Sequence, residues 1–249
     1  MPTGELVMRL ERHALTAWPP AIQRQTADGW ILRATPGLDR ARSNNALPPF
    51  RVVAEDEIPL ALAQAREFAG EHSIRTGIQV GPLSLHGGLD RALDRWGWSR
   101  GWPTLVLVGD TDNARRLAPV SAGELHLADR ADSDWLRTWG RCEPGRDVAT
   151  HASTVFRLLR DKATFARLDD VAVAISVEAD GLMGMFCLAV APERRRSGVA
   201  SGLVGALLAR TAAPLTYLQV EQGNQAAISM YERLGFSEAY RYLHRTAPE

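Results

Sequence analysis

Two stretches in the last third of the chain have residue types and spacings that can do chemistry. The first reads Arg194-Arg195-Arg196-Ser197-Gly198-Val199-Ala200. It follows the apolar run Met183–Val190, which suits a buried strand. Pro192 ends that strand, because it brings no backbone donor. Leu203, Val204, Leu207 and Leu208 then recur at helical spacing, so a helix follows. A turn of small residues between strand and helix gathers backbone N–H groups at the positive end of the helix dipole. That is a place for a diphosphate. Gly198 and Ala200 keep bulk away from the backbone, so phosphate can approach it. Taken alone, the arginines read as an exposed charged run.

The second stretch is Leu218-Gln219-Val220-Glu221, which reads as a strand, followed by Asn224, Ala227, Tyr231, Gly235 and Phe236. Asn224 is a capping residue for the helix that carries Ala227 and Tyr231. By itself Tyr231 is a core-facing tyrosine with its hydroxyl satisfied locally. Glu221 is by itself an ordinary strand-end carboxylate, and Cys187 a small hydrophobe in an apolar strand.

Together the two stretches resemble the GNAT superfamily of acyl-CoA N-acyltransferases. Arg195-x-x-Gly198-x-Ala200 is similar to that family's (Gln/Arg)-x-x-Gly-x-(Gly/Ala) signature. Asn224, Ala227, Tyr231, Gly235 and Phe236 match its Asn-x-x-Ala-x-x-x-Tyr-x-x-x-Gly-Phe pattern, in the expected order. The resemblance covers roughly residues 121–245 well and the earlier half only by echo.

The resemblance implies acetyl-CoA as acyl donor and no metal. It places the backbone of Leu188, Ala189 and Val190 along the pantetheine arm, in a gap where two strands splay apart. Arg195, Arg196, Ser197, Gly198, Val199 and Ala200 would hold the pyrophosphate, with Asn224, Ala227 and Tyr231 beside the arm. Attack of an amine on a thioester expels a thiolate, and Tyr231 is the expected general acid for it. Many members carry a glutamate base on the strand before the phosphate turn. Gly184, Met185, Phe186 and Cys187 stand there instead, so Glu221 becomes the first choice, with His151 and Glu143 weaker. The acceptor pocket is expected near Trp135, Trp139 and Arg146. Arg42-Ser43-Asn44-Asn45 is a polar cluster that reads either as part of that pocket or as a solvated hairpin tip.

The expected function is transfer of acetyl from acetyl-CoA to a primary amine of a small molecule or peptide, by direct attack in a ternary complex. Alternatives are acetylation of a protein N-terminus or lysine, and a non-catalytic CoA-binding sensor.

Composition sets the outer bounds. The chain has 249 residues and 45% hydrophobic content, as an ordinary globular protein does. Its 29 basic and 29 acidic residues cancel, which argues against nucleic acid or an anionic membrane as partner. Cys142 and Cys187 make neither a disulfide framework nor a metal quartet. No apolar run reaches spanning length and no signal-peptide core is present. The expectation is a bacterial, cytoplasmic enzyme, monomer or homodimer.

The elements that must position these residues form an α/β (α+β mixed sheet) layer fold. Residues 4–16 read as an amphipathic helix stopped at Trp18-Pro19-Pro20. Strands are expected at 29–34, 51–53, 77–81, 104–108, 123–128, 164–168, 171–178, 183–190, 215–221 and 240–245. Helices are expected at 58–68, 89–96, 133–139, 147–159 and 224–234, besides the one ending at Arg210. Gly109–Asn113 reads as a turn or linker. Ile78-Gln79-Val80 echoes Leu218-Gln219-Val220, and Arg95-Trp96-Gly97-Trp98 echoes Arg233-Leu234-Gly235-Phe236. This is the pattern of two copies of one unit. It implies a tandem GNAT arrangement: a degenerate copy over 1–112, with Leu93 where the second copy has Tyr231, and a catalytic domain over 113–249.

Overall fold

The computed structural model describes residues 4–101, 103–120 and 123–248. In chain order the elements are α1 (Gly4–Ala17), β1 (Ile22–Gln25), β2 (Ile31–Ala34), a 3-10 turn (Ala41–Ser43), β3 (Asn45–Leu47), α2 (Ile58–Glu71), β4 (Gly77–Val80), α3 (Leu83–Arg95), β5 (Ser99–Arg100) and β6 (Thr104–Asp110). Then come α4 (Thr111–Leu117), β7 (Leu125–Ala128), α5 (Ser133–Cys142), α6 (Val148–Ser153), α7 (Val155–Leu158), β8 (Thr164–Leu168), β9 (Ala172–Ala179) and β10 (Leu182–Val190). A second 3-10 turn (Pro192–Arg194), α8 (Val199–Leu208), β11 (Leu215–Glu221), α9 (Gln225–Arg233) and β12 (Ser237–Thr246) complete the chain.

The chain forms two compact units, and neither is a continuous half. One comprises Met1–Trp18, Val106–Val220 and Asn224–Ala239; the other comprises Pro19–Leu105, Glu221–Gly223 and Tyr240–Glu249. A cut at 112/113 would part α1 from the sheet it packs on and β12 from β4. Helix α1 carries Val7, Leu10, His13 and Ala17 on one buried stripe, and that stripe lies against β10.

In the unit built around Pro19–Leu105 the strand order is β1-β2-β3-β4-β12, with β5 also on β12. Strands β3 and β4 are parallel, and α2 is the crossover between them. The core gathers Trp30, Leu32, Ile58, Leu62, Phe68, Ile78, Val80, Leu89 and Leu93 between the sheet and its helices. Arg245 of β12 is fully buried here. It donates to Asp90 at 2.8 Å, to Asp94 at 2.7 Å and to the Trp98 carbonyl at 2.9 Å. The last strand is thereby fastened to α3 by a charged network rather than by apolar contact alone.

Arg100 and Arg245 together hold the Asp94 carboxyl down at about 2 from an ordinary 3.8. A carboxylate with a depressed folded value stabilises fully above its unfolded value, and that contribution is lost as pH falls toward the folded one. Asp94→Asn should therefore lower the urea midpoint at pH 7, and the gap to wild type should close between pH 3.8 and about 2. A gap independent of pH would show that the charge is not what Asp94 contributes.

The other unit has the strand order β6-β11-β10-β9-β8-β7. Strands β10 and β11 are parallel, with α8 as crossover, just as α2 joins β3 to β4. Trp135, Trp139, Phe156 and Phe165 pack mainly edge to face beneath α5. The Trp135 indole donates to the Ala166 carbonyl at 3.0 Å.

Several sequence expectations are corrected. Residues 51–53 form no strand; the third strand is Asn45–Leu47, which begins on the last residue of the polar cluster Arg42–Asn45. Asn45 can sit buried in a strand because its side chain is fully engaged: its oxygen accepts from Arg33 at 2.8 and 2.9 Å, and its nitrogen donates to the Ala41 carbonyl at 2.8 Å. The supposed linker at 109–113 is the end of β6 and the start of α4, whose first turn is capped by Asp110 accepting from the Asn113 N–H at 2.8 Å. The helix read over 147–159 breaks at Thr154, whose backbone (φ −112°, ψ −102°) is not helical. The all-exposed edge strand β1, Ile22-Gln23-Arg24-Gln25, carries no apolar alternation and was not expected.

The internal echo has a geometric counterpart. Gly97 and Gly235 both adopt left-handed backbone, with φ of 71° and 84°. At the first helix end the Trp98 N–H donates to the Leu93 carbonyl at 3.0 Å, and the Gly97 N–H to Asp94 at 3.1 Å. At the second, the Phe236 N–H donates to Tyr231 and the Gly235 N–H to Glu232, both at 3.0 Å. The Gly-aromatic pair is thus the same helix C-terminal closure used twice.

Candidate active site

The ladder between the parallel strands β10 and β11 runs from Leu182↔Leu215 to Met185↔Leu218 and stops there. Both strands continue, β10 to Val190 and β11 to Glu221. Past Met185 they no longer pair with each other, which is a splay. On its other side β10 stays paired with β9, but Phe186 faces Ile175 while Ala189 faces Val173. Cys187 and Leu188 together oppose one residue of β9, which makes a β-bulge. Cys187 has φ of 51°, an uncommon conformation for a residue with a side chain. The bulge is also where an otherwise buried strand opens: Cys187 and Leu188 are half-buried and their neighbours are buried. Of the expected pantetheine contacts, Leu188 therefore sits on the bulge. Ala189 and Val190 lie just beyond it, paired with β9.

The turn after β10 leads to the N-terminus of α8. Arg196 (φ 64°) and Gly198 (φ 83°) are both left-handed, so the backbone curls twice within three residues. Gly198 occupies the N-cap position without a side-chain cap, and no acidic residue stands in the first turn. The Ser197 hydroxyl donates to the Arg194 carbonyl at 2.6 Å, and the Ser201 hydroxyl to the Gly198 carbonyl at 2.9 Å. The first turn of a helix has N–H groups without intrahelical acceptors, and no acidic side chain within that turn offsets the helix dipole. Arg194, Arg196, Ser197 and Gly198 are exposed, and Val199 and Ala200 are half-buried.

Arg195 behaves differently from its neighbours. Its guanidinium donates to the Val190 carbonyl at 3.1 Å and to the Cys142 carbonyl at 3.0 Å. It ties the end of β10 to the end of α5, so what it presents at the turn is backbone.

Helix α9 brings in the second motif. The Asn224 side chain accepts from the Ala227 N–H at 3.2 Å, which makes it the N-cap. Tyr231 is buried on the inner face, with its ring edge to face with Phe236 at 5.9 Å. Burial raises its phenol above the ordinary value of 10.0, so the hydroxyl keeps its proton. Glu221 is exposed at the end of β11, in the segment 221–223 that groups with the other compact unit. Leu188 to Val190, Arg195 to Ala200, Asn224, Ala227 and Tyr231 all belong to the unit of α8 and β10, whereas the polar cluster Arg42–Asn45 belongs to the other.

Other expectations fall away from the site. Trp135 and Trp139 are each 1% exposed and belong to the aromatic core, so they line no acceptor pocket. His151 is buried against Trp139, its Nδ1 2.7 Å from the Asp147 carbonyl. Burial pushes the Cys142 thiol up to about 11, which keeps it protonated and unreactive. Among the described residues no group of three or more His, Cys, Asp or Glu is placed to hold a metal.

Two features escaped the sequence. The bulge at Cys187–Leu188 left no mark, because neither residue type announces left-handed backbone. The second is a buried pair. His13 of α1 points its Nδ1 at the Tyr217 hydroxyl of β11, 2.8 Å away. Their spacing in sequence, 204 residues, hides them from any motif.

The arrangement agrees with what comparison finds. No curated protein matches the chain. A GCN5-related N-acetyltransferase from Kribbella flavida superposes with a TM-score of 0.68 at 15% identity, over 99% of this chain and 95% of that one. A GCN5-related N-acetyltransferase from Sphaerobacter thermophilus gives 0.59 at 15%, over 98% and 85%. A tandem GNAT protein from the clavulanic acid biosynthesis pathway gives 0.62 at 16%, over 96% and 88%. At these identities the likeness is one of fold, and it runs through both units. The family described as "Probable histone acetyltransferase Rv0428c C-terminal" matches residues 5–245. This chain belongs to that family, and its fold is the GNAT fold, shared over nearly the whole chain with a tandem GNAT protein.

Proposed function

We propose that the protein transfers acetyl from acetyl-CoA to a primary amine by direct attack in a ternary complex. The observation that carries this is the parting of β10 and β11 beyond Met185 and Leu218, just before the bulge that β10 makes against β9 at Cys187–Leu188. The gap suits a thin, extended arm that pairs with backbone at Leu188, Ala189 and Val190. The uncapped start of α8, with Arg195, Arg196, Ser197, Gly198, Val199 and Ala200 around it, suits a pyrophosphate. Acetyl-CoA, when bound, supplies the activated thioester. The chain supplies orientation, exclusion of water and proton handling.

Tyr231 is the proposed general acid. It is protonated, buried and on the helix that Asn224 caps, with Ala227 one turn before it. For the base, Glu221 remains the carboxylate proposed from the sequence. Its exposure suits it to exchanging protons with water. The acceptor is proposed to be a small molecule or a peptide amine. The family's description favours a second reading, a lysine or N-terminal amine of a protein.

A thiol-release assay with a panel of small amines and a lysine-rich peptide tests the proposal, run beside calorimetry of acetyl-CoA. The expected result is binding together with amine-dependent release of CoA. Binding without release from any amine would leave a CoA-binding sensor. Indifference to CoA in the calorimeter would end the acetyltransferase reading.

A further inference from the structure

The turn before α8 carries one charge of the wrong sign for its proposed ligand. From Val190 to Arg210 the single acidic residue is Glu193. It lies in the 3-10 turn Pro192–Arg194, which leads into the start of α8. A negative side chain there repels a diphosphate held by Arg195–Ala200. Glu193 is half exposed. Its carboxyl is held below the ordinary 4.5, first by its own backbone N–H and then by Arg141, so it is ionised at neutral pH.

A neighbouring element meets that charge. Arg141, in the last turn of α5, pairs its guanidinium with the Glu193 carboxylate and also donates to the Asp170 carbonyl at 3.3 Å. A bond in the opposite direction comes from the turn, where Arg195 donates to the Cys142 carbonyl at 3.0 Å. Two adjacent residues of α5 thus hold Glu193 and are held by Arg195. The Cys142 carbonyl is at the negative end of α5, where a guanidinium is favoured. The Val171 carbonyl completes the clasp, accepting from the Ala191 N–H at 2.8 Å and from the Cys142 thiol at 3.5 Å. All of these residues belong to one compact unit.

An exposed ion pair contributes little to stability, so folding alone is a weak reason for this one. Its effect on a bound anion is of another kind. Paired with Arg141, Glu193 adds no net charge beside the turn. Without Arg141 it adds a full negative charge three residues from Arg196, which is at most about 10 Å of extended chain. The screening length in physiological salt is about 8 Å. The charge is therefore felt at the turn, in weakened form.

We propose that Arg141 is a positioning residue for acetyl-CoA that acts through Glu193: it keeps that carboxylate on α5 and cancels its charge beside the turn, while Arg195 fixes the turn itself. The inference rests on the acetyl-CoA part of the proposed function. It bears on the diphosphate half of that molecule and leaves the thioester half alone. It adds no reacting group to the site, and the acid and base proposed above are unchanged.

The test compares wild type, Arg141→Gln, Glu193→Gln and the double variant, by calorimetry of acetyl-CoA and by steady-state kinetics at low and physiological salt. S-acetylpantetheine, which has the thioester without the diphosphate, is the control donor. Arg141→Gln should weaken acetyl-CoA binding by about three- to tenfold, less as salt rises, with the loss in KM and not in kcat. Its kcat/KM with S-acetylpantetheine should stay within about twofold of wild type. Glu193→Gln should bind acetyl-CoA at least as well as wild type, and the double variant should recover to within about twofold of it. Recovery separates charge from packing, because removing the second partner cannot restore a lost contact. The Glu193→Gln arm reads even where Arg141→Gln folds poorly, and weaker binding there would overturn the proposal. So would a loss that the double variant retains, an equal loss with S-acetylpantetheine, or wild-type affinity in Arg141→Gln. The calorimetric arm needs no acceptor amine. If wild type itself binds no acetyl-CoA, the acetyltransferase reading fails first; if it binds and all four proteins are alike, only the role of Arg141 fails.

Discussion

Replacing Tyr231 by Phe lowers kcat for amine acetylation by about 10²- to 10⁴-fold, the range typical for a lost general acid. Affinity for acetyl-CoA stays near wild type, because the phenylalanine ring keeps the edge-to-face contact with Phe236. The expectation is a loss confined to turnover, which is how removal of an interaction made in the transition state reads out. Burial adds a pH signature. An acid must be protonated to act, and this phenol ionises above the ordinary value of 10.0. The alkaline limb of wild-type kcat should therefore lie above pH 10.0. Single-turnover kinetics with isothermal calorimetry on the same preparations would decide. Equal losses in kcat and acetyl-CoA affinity would make Tyr231 a packing residue. The motif alone cannot distinguish the roles, because part of it is helix closure: Gly235 takes left-handed backbone and the Phe236 N–H returns to the Tyr231 carbonyl.

Much of the fold was legible in the sequence where one local signal decided the matter. The apolar run before Pro192, the small residues of the turn and the periodic leucines after it together specify strand, turn and helix. Asn224 and Gly235 mark the two ends of α9 through capping chemistry that acts within a few residues. The turn at Arg194–Ala200 was legible to the same extent, because its backbone is set by residues within the turn. What was illegible depends on partners far apart in the chain. Asn45 reads as turn-forming until Arg33, twelve residues away on the next strand, is there to bond it. The bulge depends on β9 offering one residue against two. The assignment of α1 and β12 to units at the opposite end of the chain follows from packing, and no composition shift records it. The arginines show the same limit at finer grain. A run of three looks uniform, yet Arg195 is turned onto two carbonyls while Arg194 and Arg196 face solvent.

Restoring the missing carboxylate is the sharper experiment on this site. Gly184→Glu puts on β10 the residue type that the family resemblance implies as base, and it should fail. The first added atom would approach the Phe186 ring to 2.8 Å and the Tyr217 hydroxyl to 2.9 Å. Neither obstacle is the loose end of a flexible chain: Phe186 and Tyr217 are both buried, and their rings meet edge to face at 6.3 Å. Overpacking of this kind costs about 1–3 kcal/mol. Burying a carboxylate without a built partner adds a few more, for a total of about 3–5 kcal/mol. Urea unfolding should register that loss with an unchanged m-value, and acetyl transfer should fall rather than rise. Gly184→Ala separates the causes, since it brings the steric cost without the charge and should lose about half as much. A stable, more active Gly184→Glu protein would mean that the strand readily admits a carboxylate. The glycine would then be an accident of the sequence, and the phenol beside it would not be the reason for it.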